Sequence, residues 1–497
     1  MLDKNDQVEA RLAKLDDLRA QGINPYPYAF AFTHRTSQLF EQRTQLEGQP
    51  VEIKTAGRIV RFNRKGKMCF MHIKDDDGRI QVMASLDSLG EKNYEIVKML
   101  DIGDWVGAQG TMFTTKLGEY SIHASEVQIL SKAVRPLPIP KEKIENGQKI
   151  IFDEFKDMET RYRQRYIDLA LNDPVRSTFI ARSKIISTIR QYLLNQNFFE
   201  VETPVLQPIY GGASARPFTT HHNAQNMTLY MRISNELYLK RCIVGGLSRV
   251  FEFSRNFRNE GMDRTHNPEF TILEFYQAYA DYKDMMVHFE NIYAQCALAL
   301  YGTTRISYQG TEIDLAPPWR RLTMYEALET IGKCPIQSLS NQEVKDALQR
   351  FHIKLEGEFN RGRATSELFE HLCEDKLIAP TIVYDHPRES TPLCKIHRSN
   401  PDLVERFEPY INGWEVGNAY SELNDPVLQR QLLEEQVNRG RAGESETHPL
   451  DEDFLRAMEY GMPPTGGVGI GIDRLVMLLT DQPSIRDVLL FPLMRPE

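Results

Sequence analysis

The run Arg249-Val250-Phe251-Glu252-Phe253-Ser254-Arg255-Asn256-Phe257-Arg258-Asn259-Glu260 decides how the chain is read, together with His266-Asn267-Pro268-Glu269-Phe270-Thr271-Ile272-Leu273-Glu274-Phe275-Tyr276 after a short polar loop. The pattern predicts strand, loop and antiparallel strand. Alternate residues of two paired strands project to one face, so an arginine, several carboxylates and an aromatic ring would face one pocket. Burying such charges without partners costs several kcal/mol. A ligand accounts for them; a purely structural salt-bridge network is the other reading.

Two more segments belong with it. Gly466-Gly467-Val468-Gly469-Ile470-Gly471-Ile472-Asp473-Arg474 places glycines at alternate positions, which lets a strand lie close to another backbone or a ligand. The strand is expected to end at Arg474, where a helix begins. The stretch is not a Walker loop, because the Lys-Ser/Thr pair is missing. Upstream, a long helix carrying Ile185, Ile186, Ile189, Tyr192 and Leu193 runs into Phe198-Phe199-Glu200-Val201-Glu202-Thr203-Pro204.

The N-terminal part follows a different pattern. Val8, Leu12, Leu15 and Leu18 form the apolar stripe of a helix that ends at Gly22, within a helical extension over 1–50. From 51 to 134 come five short β-prone runs, starting near Val51, Met68, Arg79, Asp104 and Glu119. A helical stretch, Asp87–Leu100, separates the third from the fourth, which is the element order of an OB barrel. Residues 51–70 hold six cations (Lys54, Arg58, Arg61, Arg64, Lys65, Lys67) against Glu52, with Phe62 and Phe70 among them. Cations and exposed rings on a barrel face suit unstacked bases. Arg135-Pro136-Leu137-Pro138-Ile139-Pro140 can sustain neither a helix nor an inner strand, so 135–150 reads as a linker. Residues 151–497 then form the larger domain, with an inserted region at about 302–380.

Composition narrows the class. Of 497 residues, 41% are hydrophobic and 26% charged, which excludes disorder as the main state. No apolar run approaches the ~20 residues of a spanning helix, and the charged N-terminus does not resemble a signal peptide. The six cysteines are scattered without a C-x-x-C pair, so neither a disulfide framework nor a zinc site is expected, and a cytoplasmic location is. The net charge of −9 excludes a uniformly cationic nucleic-acid binder but not a local basic face.

Taken in order, the three segments resemble the signature motifs of class II aminoacyl-tRNA synthetases. Over nearly its full length the chain resembles the lysyl-tRNA synthetases. The matching stretches include 21–27, 161–169, 211–218, 236–241, 257–261, 278–282 and 421–425. The resemblance implies an α+β protein, with an N-terminal OB-fold barrel and a catalytic domain built on an antiparallel sheet flanked by helices. It implies ATP-dependent ligation of L-lysine to tRNA(Lys) through a lysyl-adenylate, with release of AMP and pyrophosphate. Asn235 stands where the family commonly has proline, Tyr420 where phenylalanine is frequent, and Gly466 where alanine is more usual.

By the same resemblance, Arg258 would bridge the amino-acid carboxylate and the α-phosphate, a task suited to a fork of donors. Glu260 would accept from the adenine amino group. Phe270 and Arg474 would sandwich the adenine, with Arg474 reaching the γ-phosphate and His266 and Asn267 near the phosphates. Glu408 and Glu415 match magnesium carboxylates, on two strands joined by the Asn412-Gly413 turn; the ion would arrive with ATP. Glu422 and Tyr276 match contacts to the ε-ammonium of lysine. Glu236 and the Gly212 backbone match the α-ammonium site, and Glu274, Asn418 and Tyr420 line the same pocket. Phe70, Gln81 and Glu119 match anticodon-reading positions. The first motif would supply a homodimer interface, with Pro204 at the edge of the active site. Two other readings share these residues. One is a ligase placing lysine on a protein acceptor, a role whose family members lack the barrel. The other is an RNA-binding protein with a dead catalytic fold, which would lack Arg258, Glu260, Glu415 or Arg474; all four are present.

Overall fold

The computed structural model describes residues 5–139, 141–145, 148–152, 155–355, 357–441 and 447–496. The chain divides into two compact units, Met1–Arg161 and Tyr162–Glu497.

In the first unit, helix Asp6–Ala20 starts where the Asn5 side chain accepts from Val8 N–H at 3.0 Å. The chain leaves it through Gly22, at φ +71°. Val8, Leu15 and Leu18 are buried and Leu12 is half-buried, so the apolar stripe is the packed face. Five strands follow: Ile53–Lys65, Met68–Lys74, Arg79–Ser85, Trp105–Thr114 and Tyr120–Ser131. They close a barrel in the order first, second, third, fifth, fourth, with helix Leu86–Met99 between the third and fourth. Closure removes both sheet edges. The first strand alternates buried and half-buried residues as far as Ile59, then shifts register and becomes mostly exposed through Arg61–Lys65. The expected cationic face is this second half of the strand. Phe62 packs on the barrel core, while Phe70 is half-buried on the neighbouring strand.

Beyond the barrel, Lys141–Glu145 and Gln148–Phe152 pair as an antiparallel ladder. The stretch read as a linker therefore carries a hairpin of its own.

The second unit is built on a sheet with the order Arg320–Thr323, Thr381–Pro387, Leu403–Ile411, Gly417–Ser421, Thr465–Gly471, Glu269–Ala278, Arg249–Phe257 and Phe199–Glu200. Its inner pairings are antiparallel and its two outermost are parallel, so the sheet is mixed rather than purely antiparallel. One face carries Phe251, Phe275, Val468 and Ile470, packed against Ile185, Ile189 and Leu193 of helix Asp173–Asn195 and Met285, Phe289 and Tyr293 of helix Tyr282–Tyr301. The other face is left to the polar residues of the same strands. Helix Ile472–Leu479 starts earlier than the sequence suggests, which puts Arg474 in its first turn rather than at the end of a strand. Within the inserted region, helices Met324–Thr330, Asn341–Arg350 and Arg361–Cys373 share a core, while Arg320–Thr323 joins the main sheet. Among the described residues no helix is long and apolar enough to cross a membrane.

One buried cation staples the barrel. Lys132 Nζ donates to Asp101 at 2.6 Å, to Asp104 at 2.8 Å and to the Met99 carbonyl at 2.8 Å. Removing one member of a buried ion pair strands its partners. Lys132→Met is therefore expected to lower the stability of the N-terminal unit by about 3–5 kcal/mol, read as an earlier transition in urea unfolding; a coincident curve would show that the pair contributes nothing.

Candidate active site

The strand Thr465–Gly471 runs down the middle of the polar face. Gly467 pairs with Tyr276 on one side and Tyr420 on the other; Gly469 pairs with Glu274 and Asn418. Residues directly opposite in a ladder share a face, so the glycines form a floor and the longer side chains form walls. A cavity of about 470 Å³ occupies this trench. A Cβ on Gly467 would lie 2.1 Å from Glu422 Oε1 and 2.5 Å from the Tyr276 ring. Glu422 and Tyr276 can stand where they do only because this position is glycine.

The closed end of the cavity is acidic. Glu236, Glu274 and Glu422 line it and are buried. Glu274 is fully engaged, accepting from Ser234 Oγ and from Tyr276 Oη, each at 3.1 Å. Burial, with the neighbouring charge of Glu236, pushes Glu274 up to about 7. Glu422 Oε2 pairs with Lys240 Nζ at 2.5 Å, while Oε1 has no hydrogen-bond partner among the described residues. Burial pushes Glu422 up to about 8 even with that cation beside it. Glu236 holds the same ammonium at 2.6 Å. Gly212, at φ +82°, lies against Ser234 and Glu236; a Cβ there would meet Ser234 Oγ at 2.8 Å. Asn418 Nδ2 donates to the Tyr420 hydroxyl at 2.7 Å, and its buried Oδ1 has no partner among the described residues.

At the other end, Arg258, Glu260, His266, Asn267, Phe270, Glu415 and Arg474 line the cavity. The Arg258 guanidinium lies over the Phe270 ring at 5.1 Å, and its buried Nε has no partner among the described residues. Arg474 donates to the Glu415 carbonyl at 2.5 Å and meets His266 Nε2 at 3.2 Å. Its helix is anchored by Asp473, which accepts from Thr271 N–H at 2.8 Å and pairs with Arg182 at 2.6 Å.

Glu408 and Glu415 come from Leu403–Ile411 and Trp414–Glu415, joined through Asn412 and Gly413, both at positive φ. That is the tight hairpin expected of an Asn-Gly pair. The two carboxylates are not equivalent. Glu415 lines the cavity, whereas Glu408 does not; it is bonded to Arg406 and accepts from Tyr410 Oη at 2.7 Å. Burial and the charge of Glu408 push Glu415 up, whereas Glu408 is held low by Arg406 against its own burial. Glu370 and Glu374 behind them are pushed up to about 7 by burial and by this negative surround. Carboxylate oxygens with an excess of negative charge suit a hard divalent cation. Among the described residues no three candidate ligands are placed to hold a metal alone, so phosphate oxygens would have to complete the set.

On the barrel, Gln81 and Glu119 are brought together. Gln81 Nε2 donates to Glu119 Oε2 at 2.8 Å, and Ser121 Oγ donates to Gln81 Oε1 at 2.9 Å. Phe70 lies on the adjoining strand, two residues before His72, which pairs with Gln81 in the ladder.

Several residues escaped the sequence reading. His72 contacts Glu119 at 2.7 Å. Lys240 lies inside a matched stretch and four residues after Glu236, a spacing that marks a helical ion pair. Asn235, in place of proline, is buried, donates to Glu252 at 3.1 Å and accepts from Ser254 Oγ at 3.0 Å. It joins a network in which Glu252 also takes Arg232 at 2.7 Å. His448 lines the cavity and is held neutral, pushed down to about 4 by burial and by the charge of Lys240. No local pattern distinguishes it.

Residues 157–495 match the family described as tRNA synthetases class II (D, K and N), and residues 53–130 match the OB-fold nucleic acid binding domain. The chain belongs to the class II tRNA synthetases. It is 48% identical over 497 residues to a protein of Pelotomaculum thermopropionicum named lysine–tRNA ligase, covering 99% of this chain and 96% of the relative. It is 48% identical over 495 residues to one of the same name from Moorella thermoacetica, covering 99% of each. Within the class it falls with the lysyl-tRNA synthetases that carry an N-terminal OB-fold domain.

A methyl group on the glycine floor tests the trench directly. Gly467→Ala is expected to displace Glu422 and Tyr276 and to lower amino-acid-dependent ATP–pyrophosphate exchange by roughly 100-fold, with an overpacking cost of ~1–3 kcal/mol in thermal unfolding. Exchange at the wild-type rate would show that the floor tolerates a side chain.

Proposed function

We propose that the cavity binds L-lysine and ATP side by side, makes lysyl-adenylate, and passes the lysyl group to the terminal adenosine of tRNA(Lys). The activity is lysine–tRNA ligation. The observation that carries the choice of amino acid is Glu422, a buried carboxylate with one unpartnered oxygen beside Tyr276. A side-chain ammonium satisfies it with a full charge; the carboxylate of aspartate would be repelled, and the amide of asparagine could offer only a neutral N–H, which leaves the buried charge unanswered. Unpaired buried polar groups give discrimination of roughly 10⁴-fold.

In the first step a carboxylate oxygen of lysine attacks the α-phosphorus, and the bond to the β-phosphate breaks to release pyrophosphate. The nucleophile is already ionised, so alignment and charge neutralisation are the protein's contribution. Arg258 serves both anions; it lines the cavity, and its buried Nε has no partner among the described residues. Glu236 and the Gly212 backbone take the α-ammonium, with Glu274 holding Ser234 and Tyr276 in place. Phe270 and Arg474 take the two adenine faces and Glu260 its amino group, with His266 and Asn267 toward the phosphates. Glu415, with Glu408 behind it, would hold magnesium, which supplies charge neutralisation of the phosphates when bound. In the second step the adenosine hydroxyl attacks the lysyl carbonyl and AMP leaves.

The barrel supports tRNA as the acceptor over a protein. Phe70 would stack a base beside the Gln81–Glu119 pair. A homodimer is supported by exposed apolar side chains on the first motif and its helix, among them Ile180, Phe199, Leu206 and Ile209.

Exchange driven by lysine, and not by aspartate or asparagine, is the expected result, with Glu422→Gln lowering it by roughly 10²–10⁴-fold; equal rates with aspartate would overturn the reading. Phe70→Ala is expected to weaken binding of the tRNA(Lys) anticodon stem-loop by ~1–3 kcal/mol in a filter titration. An unchanged Kd would remove the ring from the interface.

A further inference from the structure

Lys240 is fully buried in helix Glu236–Val244, one turn after Glu236. Its ammonium donates to Glu236 Oε1 at 2.6 Å, contacts Glu422 Oε2 at 2.5 Å and reaches the Leu393 carbonyl at 3.5 Å. It thus touches both carboxylates assigned above to opposite ends of the amino acid. We propose that Lys240 is a positioning residue for amino-acid selection: its ammonium ties Glu236 to Glu422 and fixes the net charge of the pocket at the value a zwitterion with a second ammonium neutralises. The inference rests on the lysine reading above.

The charge count carries it. Three buried carboxylates, Glu236, Glu274 and Glu422, face one internal cation, Lys240. With all three ionised, as in the lysine-bound site, two negative charges remain for the two ammonium groups of lysine, while Arg258 answers its carboxylate. Without Lys240 the same pocket would hold three uncompensated carboxylates, and burial would hold their protons more strongly still. Glu422 is the exposed point of that balance. It is already pushed up to about 8 by burial, with Lys240 holding it down and Glu236 and Glu274 pushing it further. The other ionisable groups of the surround are Tyr276 from the neighbouring strand, Cys394 from the segment bridged to Glu422, His448, Arg406 and Tyr420. Tyr276 and Cys394 are held protonated well above their usual range, and His448 is held neutral.

The sign follows. Ionised Glu422 holds the ε-ammonium more strongly than the protonated acid does, so lysine KM falls as pH rises through about 8. Removing the cation at 240 raises the pKa of Glu422 and moves that fall to higher pH. A merely structural Lys240 would alter stability or overall rate and leave the pH at which KM falls unmoved.

The test is lysine-dependent ATP–pyrophosphate exchange on the full chain from pH 6.5 to 9.5, with Lys240→Gln, which keeps donors without charge, and Lys240→Arg, which keeps the charge. Lysine KM of Lys240→Gln is expected to rise at least tenfold at pH 7, with the fall in KM displaced upward by about one unit and ATP KM within about twofold of wild type. Lys240→Arg is expected to retain the wild-type midpoint. A Lys240→Gln profile that coincides with wild type overturns the proposal, as does a Lys240→Arg midpoint displaced as far as that of Lys240→Gln. If Lys240→Gln does not fold, Lys240→Met, which also removes the charge, is read in its place by the same criterion; if Lys240→Arg does not fold, the Lys240→Gln midpoint decides alone. Failure of the wild-type protein to use lysine at all would sink the functional reading instead, so the two failures are distinguishable.

Discussion

The site depends on the absence of side chains along one strand. Gly467 and Gly469 sit mid-sheet on a face whose other strands carry Glu274, Tyr276, Asn418 and Tyr420. A pleated sheet presents a continuous layer of side chains; removing two of them from the central strand opens a trench with rigid walls. On the reverse face Val468 and Ile470 are packed into the core, so the floor cannot sag. Rigid placement of polar groups costs no reorganisation when charge develops, which is how a site of this kind stabilises a phosphoryl-transfer transition state.

That trench concentrates charge in a way that folding alone would not favour. Burial raises Glu236, Glu274, Glu415 and Glu422, and neighbouring like charges add to the rise at Glu274, Glu415 and Glu422. The cost is partly met inside the protein, by Lys240 at one end and Arg474 at the other. On the proposed reading the remainder is answered by the ligands: ammonium groups at one end, cations and phosphates at the other. A pocket that is incompletely neutralised when empty discriminates by what it lacks.

The barrel works by a different physics. Its basic strand attracts a polyanion despite the overall charge of −9, because the phosphate field is read locally. Glu119 is an acceptor in a place where phosphates would repel it. Its oxygens are taken by Gln81 and His72, which tie the carboxylate to the two neighbouring strands of the barrel.

Much of this was legible beforehand. Alternation on Arg249–Phe257 and Glu269–Ala278, the every-second glycine of Gly467–Gly471 and the Asn412-Gly413 turn are local signals, and each became the element it suggests. The five-strand order with a helix before the fourth strand is also local, and it closed as a barrel. Where local signals were weak the reading missed: the helix begins at Ile472 rather than beyond Arg474, because Asp473 reaches across to Arg182 and the Thr271 backbone. The distinction between Glu415, at the cavity, and Glu408, turned to Arg406, is likewise tertiary. So is the burial of Lys240 between carboxylates 186 positions apart in the chain. Periodicity and turn chemistry reside in neighbouring residues, so amino-acid order settles the elements and their alternating faces. Which charge is desolvated, and by whom it is answered, depends on strands that meet only when the sheet forms, and that was decided by the three-dimensional packing.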